Sequence, residues 1–329
     1  MKIGGQHSSR MIKPPVLVIG SSNTDLVIKA ARIPKPGETI LGGEFARAAG
    51  GKGANQAVAA ARAGGAVTFI ARVGRDSNGE AALTGFVADG INVKHVVHDP
   101  TRPSGVALIF VGKNGENSIA VASGANDKLS PADVRQAKAA FRRVRVVLLQ
   151  LETPLKTVEA SIALAAAVGV RVVLNPAPAR PLPAQLLKCI YLITPNQSEA
   201  ELITGVAVTS ETTAAQAADK LLARGVQNVI ITMGARGAFM AGKNLRQLMP
   251  GFKVTAVDAT GAGDVFSGAL VVALAEGRSL PEAARFASAA AAISVTRFGA
   301  QPSAPTRQEI EAVLATGKVP PALKARRPK

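Results

Sequence analysis

Short β-branched runs recur along this chain with Ala-rich helical stretches between them, and that alternation limits the fold more than any other feature. The runs at residues 16–19, 67–71, 144–149, 170–174, 190–193 and 229–232 are apolar on both faces. Helical stretches at residues 54–63, 131–141, 155–167 and 214–224 separate many of them. A strand with no polar face has to be covered on both sides. The pattern therefore predicts a mostly parallel, doubly wound sheet between two helical layers, a three-layer α/β/α sandwich. Two segments interrupt it. Residues 26–45 read as strands around Ile33-Pro34-Lys35-Pro36-Gly37-Glu38, and residues 104–123 read as a hairpin turning at Asn114-Gly115. These inserted strands predict a small separate β-sheet, serving as a lid or an oligomer contact.

Near the C-terminal third, a strand-like run at residues 252–257 ends in Thr260-Gly261-Ala262-Gly263-Asp264, and a long apolar helix is expected from Asp264 to Glu276. A Gly-rich turn opening a helix aims unpaired backbone N–H groups at one point, with the positive end of the helix dipole behind them. Such a place holds phosphate or a developing negative charge. A carboxylate fixed there competes with the anion the site attracts, unless it acts as a general base on a hydroxyl while the amides hold the phosphoryl group. The plainer alternative is that Asp264 caps the helix. A second apolar helix, at residues 281–293, follows a capping box at Ser279-Leu280-Pro281-Glu282.

Two earlier turns carry polar groups. Gly20-Ser21-Ser22-Asn23-Thr24-Asp25 follows the first strand, at the carboxyl edge where parallel sheets bind ligands. Asn23 and Asp25 could pair with vicinal hydroxyls there, or simply form an Asx turn. Gly50-Gly51-Lys52-Gly53-Ala54-Asn55-Gln56 is neither a Walker A loop nor a dinucleotide fingerprint. Its glycines allow close backbone approach to a ligand, with Lys52 and Asn55 projecting nearby; a flexible turn with a solvated lysine is the alternative.

Composition narrows the function classes. The formal net charge of +17 first suggests nucleic acid, but aromatics are 3% with no Trp, so platforms for stacking bases are scarce. The charge instead suits attraction of anionic small substrates such as nucleotides. No segment reads as a membrane span, and the first 15 residues have no apolar core of a secretory signal, which together predict a cytoplasmic protein. The single cysteine, Cys189, lies in an apolar run and reads as a small buried residue. Residues 1–13 read as an N-terminal extension with Met11 as an alternative start, 14–314 as the main domain, and 315–329 as a basic, disordered tail.

Taken in order, Gly20-Ser21, Asn23, Asp25, Pro36-Gly37-Glu38-Thr39, the Gly50–Gln56 string, Gln150-Leu151-Glu152, Asn175-Pro176-Ala177-Pro178-Ala179, Thr194-Pro195-Asn196 with Glu199, and Gly261-Ala262-Gly263-Asp264 resemble the ribokinase-like family of carbohydrate kinases. The resemblance runs from about Val16 to Ile310. Its Gly50–Gln56 and Asn175–Ala179 strings stand closer to the ribose-phosphorylating members than to those acting on adenosine, fructose or ketodeoxygluconate.

The resemblance implies ATP-dependent phosphorylation of D-ribose at O5. By the same resemblance Asp264 would be the base, and the amides of Gly261, Ala262, Gly263 and Asp264 the anion hole. Asn23, Asp25, Gly51, Lys52, Asn55, Glu152 and Asp264 would contact the sugar. Asn196 and Glu199 would lie near the nucleotide phosphates and Mg²⁺. Thr232, Met233, Gly234, Ala235, Arg236 and Gly237 would form the nucleotide loop, and Gly263 and Asp264 would also meet the nucleotide. Ser288 stands where an adenine-neighbouring His or Asn is common. A K⁺ site would use Asp258, Thr260, Ser294, Arg297, Gly299 and Ser303, mainly through carbonyls. Lid strands would pair two subunits into a homodimer. The sibling alternative is a kinase for deoxyribose, a nucleoside or another sugar. The alternative from another class is a non-catalytic sugar- or nucleic-acid-binding protein, which would have no need of Asp264.

Overall fold

The computed structural model describes residues 13–321. In chain order the strands are β1 (Pro15–Ile19), β2 (Asn23–Lys29), β3 (Glu44–Gly50), β4 (Ala66–Gly74), β5 (Asn92–Asp99), β6 (Gly105–Val111) and β7 (Asn117–Ala122). They continue with β8 (Val146–Leu149), β9 (Arg171–Leu174), β10 (Leu192–Ile193), β11 (Asn228–Thr232), β12 (Ala238–Gly242) and β13 (Leu245–Met249). The first helices are α1 (Lys52–Arg62), α2 (Ser77–Ala88), α3 (Pro131–Gln136), α4 (Lys138–Phe141) and α5 (Leu155–Ala167). Then come α6 (Ala184–Leu187), α7 (Gln197–Thr204), α8 (Glu211–Ala223), α9 (Ala262–Ala275), α10 (Leu280–Ser294) and α11 (Arg307–Thr316).

Nine strands form one sheet in the order β13-β12-β11-β10-β9-β8-β1-β4-β5. All its pairs are parallel except the β11-β12-β13 meander at one edge. Successive side chains of a strand point to opposite faces, and β1 shows the consequence. Val16 and Val18 enter one core with α1, α9 and α10, while Leu17 and Ile19 enter the other with α5, α7 and α8. The expected α/β/α sandwich is present. From β1 the chain winds toward β4 and β5 on one side, and later through β8 to β11 on the other. The carboxyl ends of β1 and β8 therefore flank a crevice, the usual ligand position in such sheets.

A second sheet, β3-β2-β6-β7, stands apart from the first. The hairpin joining β6 to β7 turns at Asn114-Gly115, with Gly115 at φ 85° as the sequence suggested. The other lid segment is displaced from its expected bounds. No strand covers residues 30–43, and β3 runs on to Gly50, delivering the chain straight into α1.

Several elements differ from expectation. Residues 252–257 are not a strand: the sheet is already closed at that edge by β13. The segment instead crosses the end of α10, where Val257 N–H donates to the Val295 carbonyl at 2.7 Å. The helix expected at 131–141 breaks at Ala137 into α3 and α4. The two-strand edge β12-β13, and β5, carry no clear signal in the sequence. Cys189 is exposed, because α6 and the turn after it send Leu186, Leu187 and Ile190 inward and leave Lys188 and Cys189 outside. The final helix extends to Thr316, into the segment read as tail, and ends at Gly317 in the left-handed conformation. Most of the N-terminal extension, and residues 322–329 of the basic tail, lie outside the described residues.

Candidate active site

Helix α9 starts at Ala262, with Gly261 as its N-cap at φ 73° and no side-chain cap. Asp264 is therefore the third residue of the helix and does not cap it. Its carboxylate is 6% exposed and faces the neighbouring helix α1. Asn55 Nδ2 donates to Oδ2 at 3.0 Å, and Gln56 Nε2 donates to Oδ1 at 2.9 Å. Every later residue of α9 is buried too, so the helix is locked between α1 and α10 and its N-terminus cannot drift.

The turn leaves a particular set of amides free. Ala262 N–H is taken by the Ala259 carbonyl at 3.2 Å, which removes it from the expected anion hole. The amides of Gly261, Gly263 and Asp264 have no partner among the described residues. They line a cavity of about 140 Å³ together with Asp264, Lys52, Asn175, Glu199 and Thr232. A Cβ on Gly263 would meet nothing within 4 Å, so its open side faces free space.

Close backbone approach explains the glycines of the second motif. Gly51 caps α1 at φ 86°, and a Cβ there would sit 2.7 Å from Asn23 N. At Gly53 a Cβ would be 2.5 Å from Ser21 N. The α1 start is thereby pressed onto the loop after β1. Glu152, following β8, bridges the two: it accepts from Lys52 N–H at 2.8 Å and from Ser21 Oγ at 2.5 Å. Asn23 is oriented by Asn126, whose Nδ2 donates to its Oδ1 at 2.8 Å.

Charge in this cluster is unbalanced. Burial alone would lower the Lys52 ammonium, but Asp264, Glu152, Glu199 and Asp25 surround it and raise its pKa. Burial pushes the Asp25 carboxyl up to about 6, with Glu152 and Asp264 adding to the rise and Lys52 opposing it. Burial likewise raises Asp264, against Lys52, Asn55 and Gln56, which favour its charged form. Glu199 is raised by burial, opposed by the Asn196 amide and Lys52. A pocket holding carboxylates whose ionisation is costly is suited to proton abstraction.

The residues read for the nucleotide side divide. Asn196 and Glu199 form a capping box on α7, with Glu199 N–H on Asn196 Oδ1 at 2.9 Å and Asn196 N–H on Glu199 Oε2 at 2.8 Å. That structural role uses Oε2, while Glu199 Oε1 has no hydrogen-bond partner among the described residues and Glu199 lines the cavity. Thr232 ends β11 beside Asn196 and lines the same cavity. Gly237 is required by a tight turn, since a Cβ would sit 2.0 Å from the Met249 carbonyl. Gly234 and Ala235 are in that turn. Met233 is 2% exposed and packs in a core, and the Arg236 guanidinium donates to the Thr209 carbonyl. Ser288, half-buried on α10, is not among the cavity residues.

The loops of residues 257–260 and 294–303 meet through Asp258. Its carboxylate accepts from Thr260 N–H at 2.9 Å and Gly299 N–H at 2.8 Å, and these bonds outweigh burial to lower its pKa. Ser294 and Ser303 hydroxyls donate to nearby carbonyls, and the Arg297 side chain pairs with Glu309. The carbonyls of Asp258, Thr260, Arg297 and Gly299 accept no hydrogen bond among the described residues. Oxygen donors of this kind, with one carboxylate, could hold a large monovalent cation. Ala300 in the second loop lies directly under Gly261, where a Cβ would be 2.7 Å from the Ala300 Cβ.

A family model of pfkB carbohydrate kinases matches residues 13–307. The chain belongs to the pfkB family of carbohydrate kinases. One relative of this pfkB kinase is the ribokinase of Haemophilus influenzae, 48% identical over 298 residues, spanning 91% of this chain and 97% of that protein. The deoxyribokinase of Salmonella typhi is 38% identical over 301 residues, spanning 91% and 98%. The solved structure of Arabidopsis thaliana ribokinase complexed with ribose and ATP matches with a TM-score of 0.86 at 34% identity, covering 92% of this chain and 99% of that one. Family membership and the similarity to ribokinases support a kinase over the reading of a non-catalytic binding protein.

Sequence reasoning passes over Asn126, Gln56, Gln150, Asn175 and Gln301 as site residues. Gln56, Gln150 and Asn175 stand inside the motifs named above, which is the signal that could have found them. Asn126 follows β7, and nothing local marks it; only the meeting of the 3₁₀ turn at residues 124–128 with the loop after β1 shows its use.

Proposed function

We propose that this pfkB kinase transfers the γ-phosphoryl group of ATP to the 5-hydroxyl of D-ribose, giving ribose 5-phosphate. One observation carries the reading: a buried carboxylate, Asp264, lies between free helix-terminal amides and a cluster of amide, ammonium and carboxylate side chains of the kind that pairs with hydroxyls. Asp264 takes the proton from the hydroxyl as it attacks. The amides of Gly261, Gly263 and Asp264 meet the charge that develops on the transferring group, and need no reorganisation to do so. Asn23, Asp25, Lys52, Asn55 and Glu152 hold the sugar's other hydroxyls, and Thr232 to Gly237 form the floor for the nucleotide phosphates.

Glu199, with Asn196 beside it, would hold Mg²⁺ through its free oxygen or through water, supplying charge neutralisation at the phosphates. The carbonyls of Asp258, Thr260, Ser294, Arg297 and Gly299, with Ser303, would hold K⁺ and stiffen the turn under Gly261. The kinase body spans about residues 14–314, and the lid closes over the sugar to exclude water. Both faces of the lid sheet carry exposed apolar residues, Ile28, Phe45 and Leu108 on one and Ile119 and Val121 on the other. A sheet this thin cannot bury both against its own chain, which supports a homodimer formed through the lid. Among the described residues no helix is long and apolar enough to cross a membrane, and we place the enzyme in the cytoplasm.

The 48% identity to a ribokinase favours ribose over 2-deoxyribose, against 38% to a deoxyribokinase. A site that pairs the 2-hydroxyl should prefer ribose by about 1–3 kcal/mol, or roughly 5- to 150-fold in kcat/KM. A panel of pentoses, nucleosides and hexoses with ATP and Mg²⁺, with and without K⁺, tests the assignment. Asp264→Asn should lower kcat by roughly 10³-fold or more with ribose still bound. Full turnover in that variant would remove the assigned base.

A further inference from the structure

We infer that Gln56, held in one orientation by Gln150, is a positioning residue for the catalytic carboxylate, an inference that rests on Asp264 being the general base. Gln56 is 0% exposed, on α1, and is not among the cavity residues, so it acts through Asp264 and not on substrate. Its Nε2 donates to Asp264 Oδ1 at 2.9 Å and to Asn175 Oδ1 at 2.9 Å. Its Oε1 accepts from Gln150 Nε2 at 2.5 Å. Asn175 is oriented in turn, with its Nδ2 on the Thr194 carbonyl at 3.0 Å.

These contacts permit one arrangement only. A flipped Gln56 amide would set its oxygen against two oxygens and its NH₂ against the NH₂ of Gln150. The donor end is therefore committed to Asp264. Gln150 makes a sacrifice to hold it there: its own Oε1 is buried with no hydrogen-bond partner among the described residues. A buried unpaired carbonyl is costly and calls for an explanation, and the commitment of the other end of the same amide to Gln56 supplies one. The packing around Gln150 is equally particular, since a Cβ on Gly20 would lie 2.0 Å from that Oε1.

The chain from the end of β8 through α1 to α9 thus fixes the rotation of the Asp264 carboxylate and favours its ionised form. Asn55 grips the other oxygen, but Asn55 is also assigned to the sugar and is itself held by Gln301 at 3.2 Å. Gln56 is the grip that substrate does not disturb. The charged groups that also act on Asp264 are Lys52, which favours ionisation, and Glu152, Asp25 and Glu199, which oppose it.

The test uses full-length Gln56→Met, Gln150→Met and Gln56→Glu, with Asp264→Asn in parallel. In Gln56→Met, kcat should fall about 30-fold or more, with ribose Kd by calorimetry changed less than about threefold. The acid limb of its kcat–pH profile should move to higher pH, because a donor to the charged form is gone. Gln150→Met should show the same pattern more weakly, and carries the test if Gln56→Met does not fold. Gln56→Glu should be active only in the window above the acid limb of Asp264 where the new carboxyl is still protonated and can donate, so its activity should fall as pH rises where the parent's does not. Parental kcat and acid limb in both Met variants would overturn the positioning role, as would ribose affinity falling in parallel with kcat. If Asp264→Asn itself turns over normally, the base assignment fails instead; a dead Asp264→Asn beside a parental Gln56→Met sinks the Gln56 role alone.

Discussion

The carboxylate of Asp25 lies against Gly50, so closely that a Cβ on Gly50 would fall 2.2 Å from Oδ2 and 2.3 Å from Oδ1. The two residues sit on paired antiparallel strands, with Asn23 opposite Gly50 and Asp25 opposite Ala48. Only a residue without a side chain leaves the carboxylate room to turn back toward Lys52 and Glu152. The lid and the sugar pocket are joined at this contact.

Gly50→Ala should therefore displace Asp25 while leaving the phosphate side intact. The expected outcome is a ribose KM raised about tenfold or more, the cost of one lost charge-assisted hydrogen bond, with the ATP KM unchanged. Steady-state kinetics with each substrate varied in turn checks it. An unchanged ribose KM would mean that the Asp25 carboxylate does not serve the sugar.

Asp25 should also set a pH dependence. Its pKa is raised to about 6, so the carboxylate loses its charge as pH falls through that value. The kcat/KM for ribose should decline below about pH 6, and Asp25→Asn should have a lower kcat/KM without that limb. Stability runs the other way. Between its ordinary value and about 6 the folded state binds the extra proton, so the Asp25 contribution is fully present at low pH and lost as pH rises through about 6. Sugar-free Asp25→Asn should accordingly be more stable than the parent above about pH 6, by about 1–3 kcal/mol, and no more stable near about pH 4. Urea midpoints at the two pH values decide it.

Gly263→Ala tests the phosphoryl pocket. A Cβ there meets no protein atom within 4 Å, and Ala forms helix more readily than Gly, so the Tm should stay the same or rise. The added methyl would instead stand beside the free amides. Turnover should fall roughly 10²-fold or more, with ribose binding kept. A fully active Gly263→Ala protein would show that the phosphoryl group lies elsewhere.

The layers of this fold were legible because strands apolar on both faces have no other stable disposition, as residues 16–19 and 144–149 illustrate. The run at 252–257 misled for a related reason. Its composition suits a strand, but β13 already occupies the sheet edge, and local sequence carries no information about which edge is taken. Cys189 was misplaced because an apolar run states how many side chains are buried, not which ones; the turn after α6 settles that. The Gly261–Asp264 turn and the Gly50–Gln56 string announced an anion site and a ligand loop. Neither hinted that Ala262 spends its amide on Ala259, and the likeness that placed Met233 in a nucleotide loop did not show that its side chain faces a core.

By itself the sequence determined the sandwich and the inserted lid, which follow from periodicity and from turn chemistry, both local. The side chains assigned to the site came from the likeness of its motifs to those of the carbohydrate kinases. Tertiary structure alone decided that Asn55 and Gln56 would close on Asp264 from more than 200 residues away, and that Lys52 would stand among four carboxylates. Burial depth, amide orientation and shifted proton affinity depend on which surfaces meet, and no local pattern contains that.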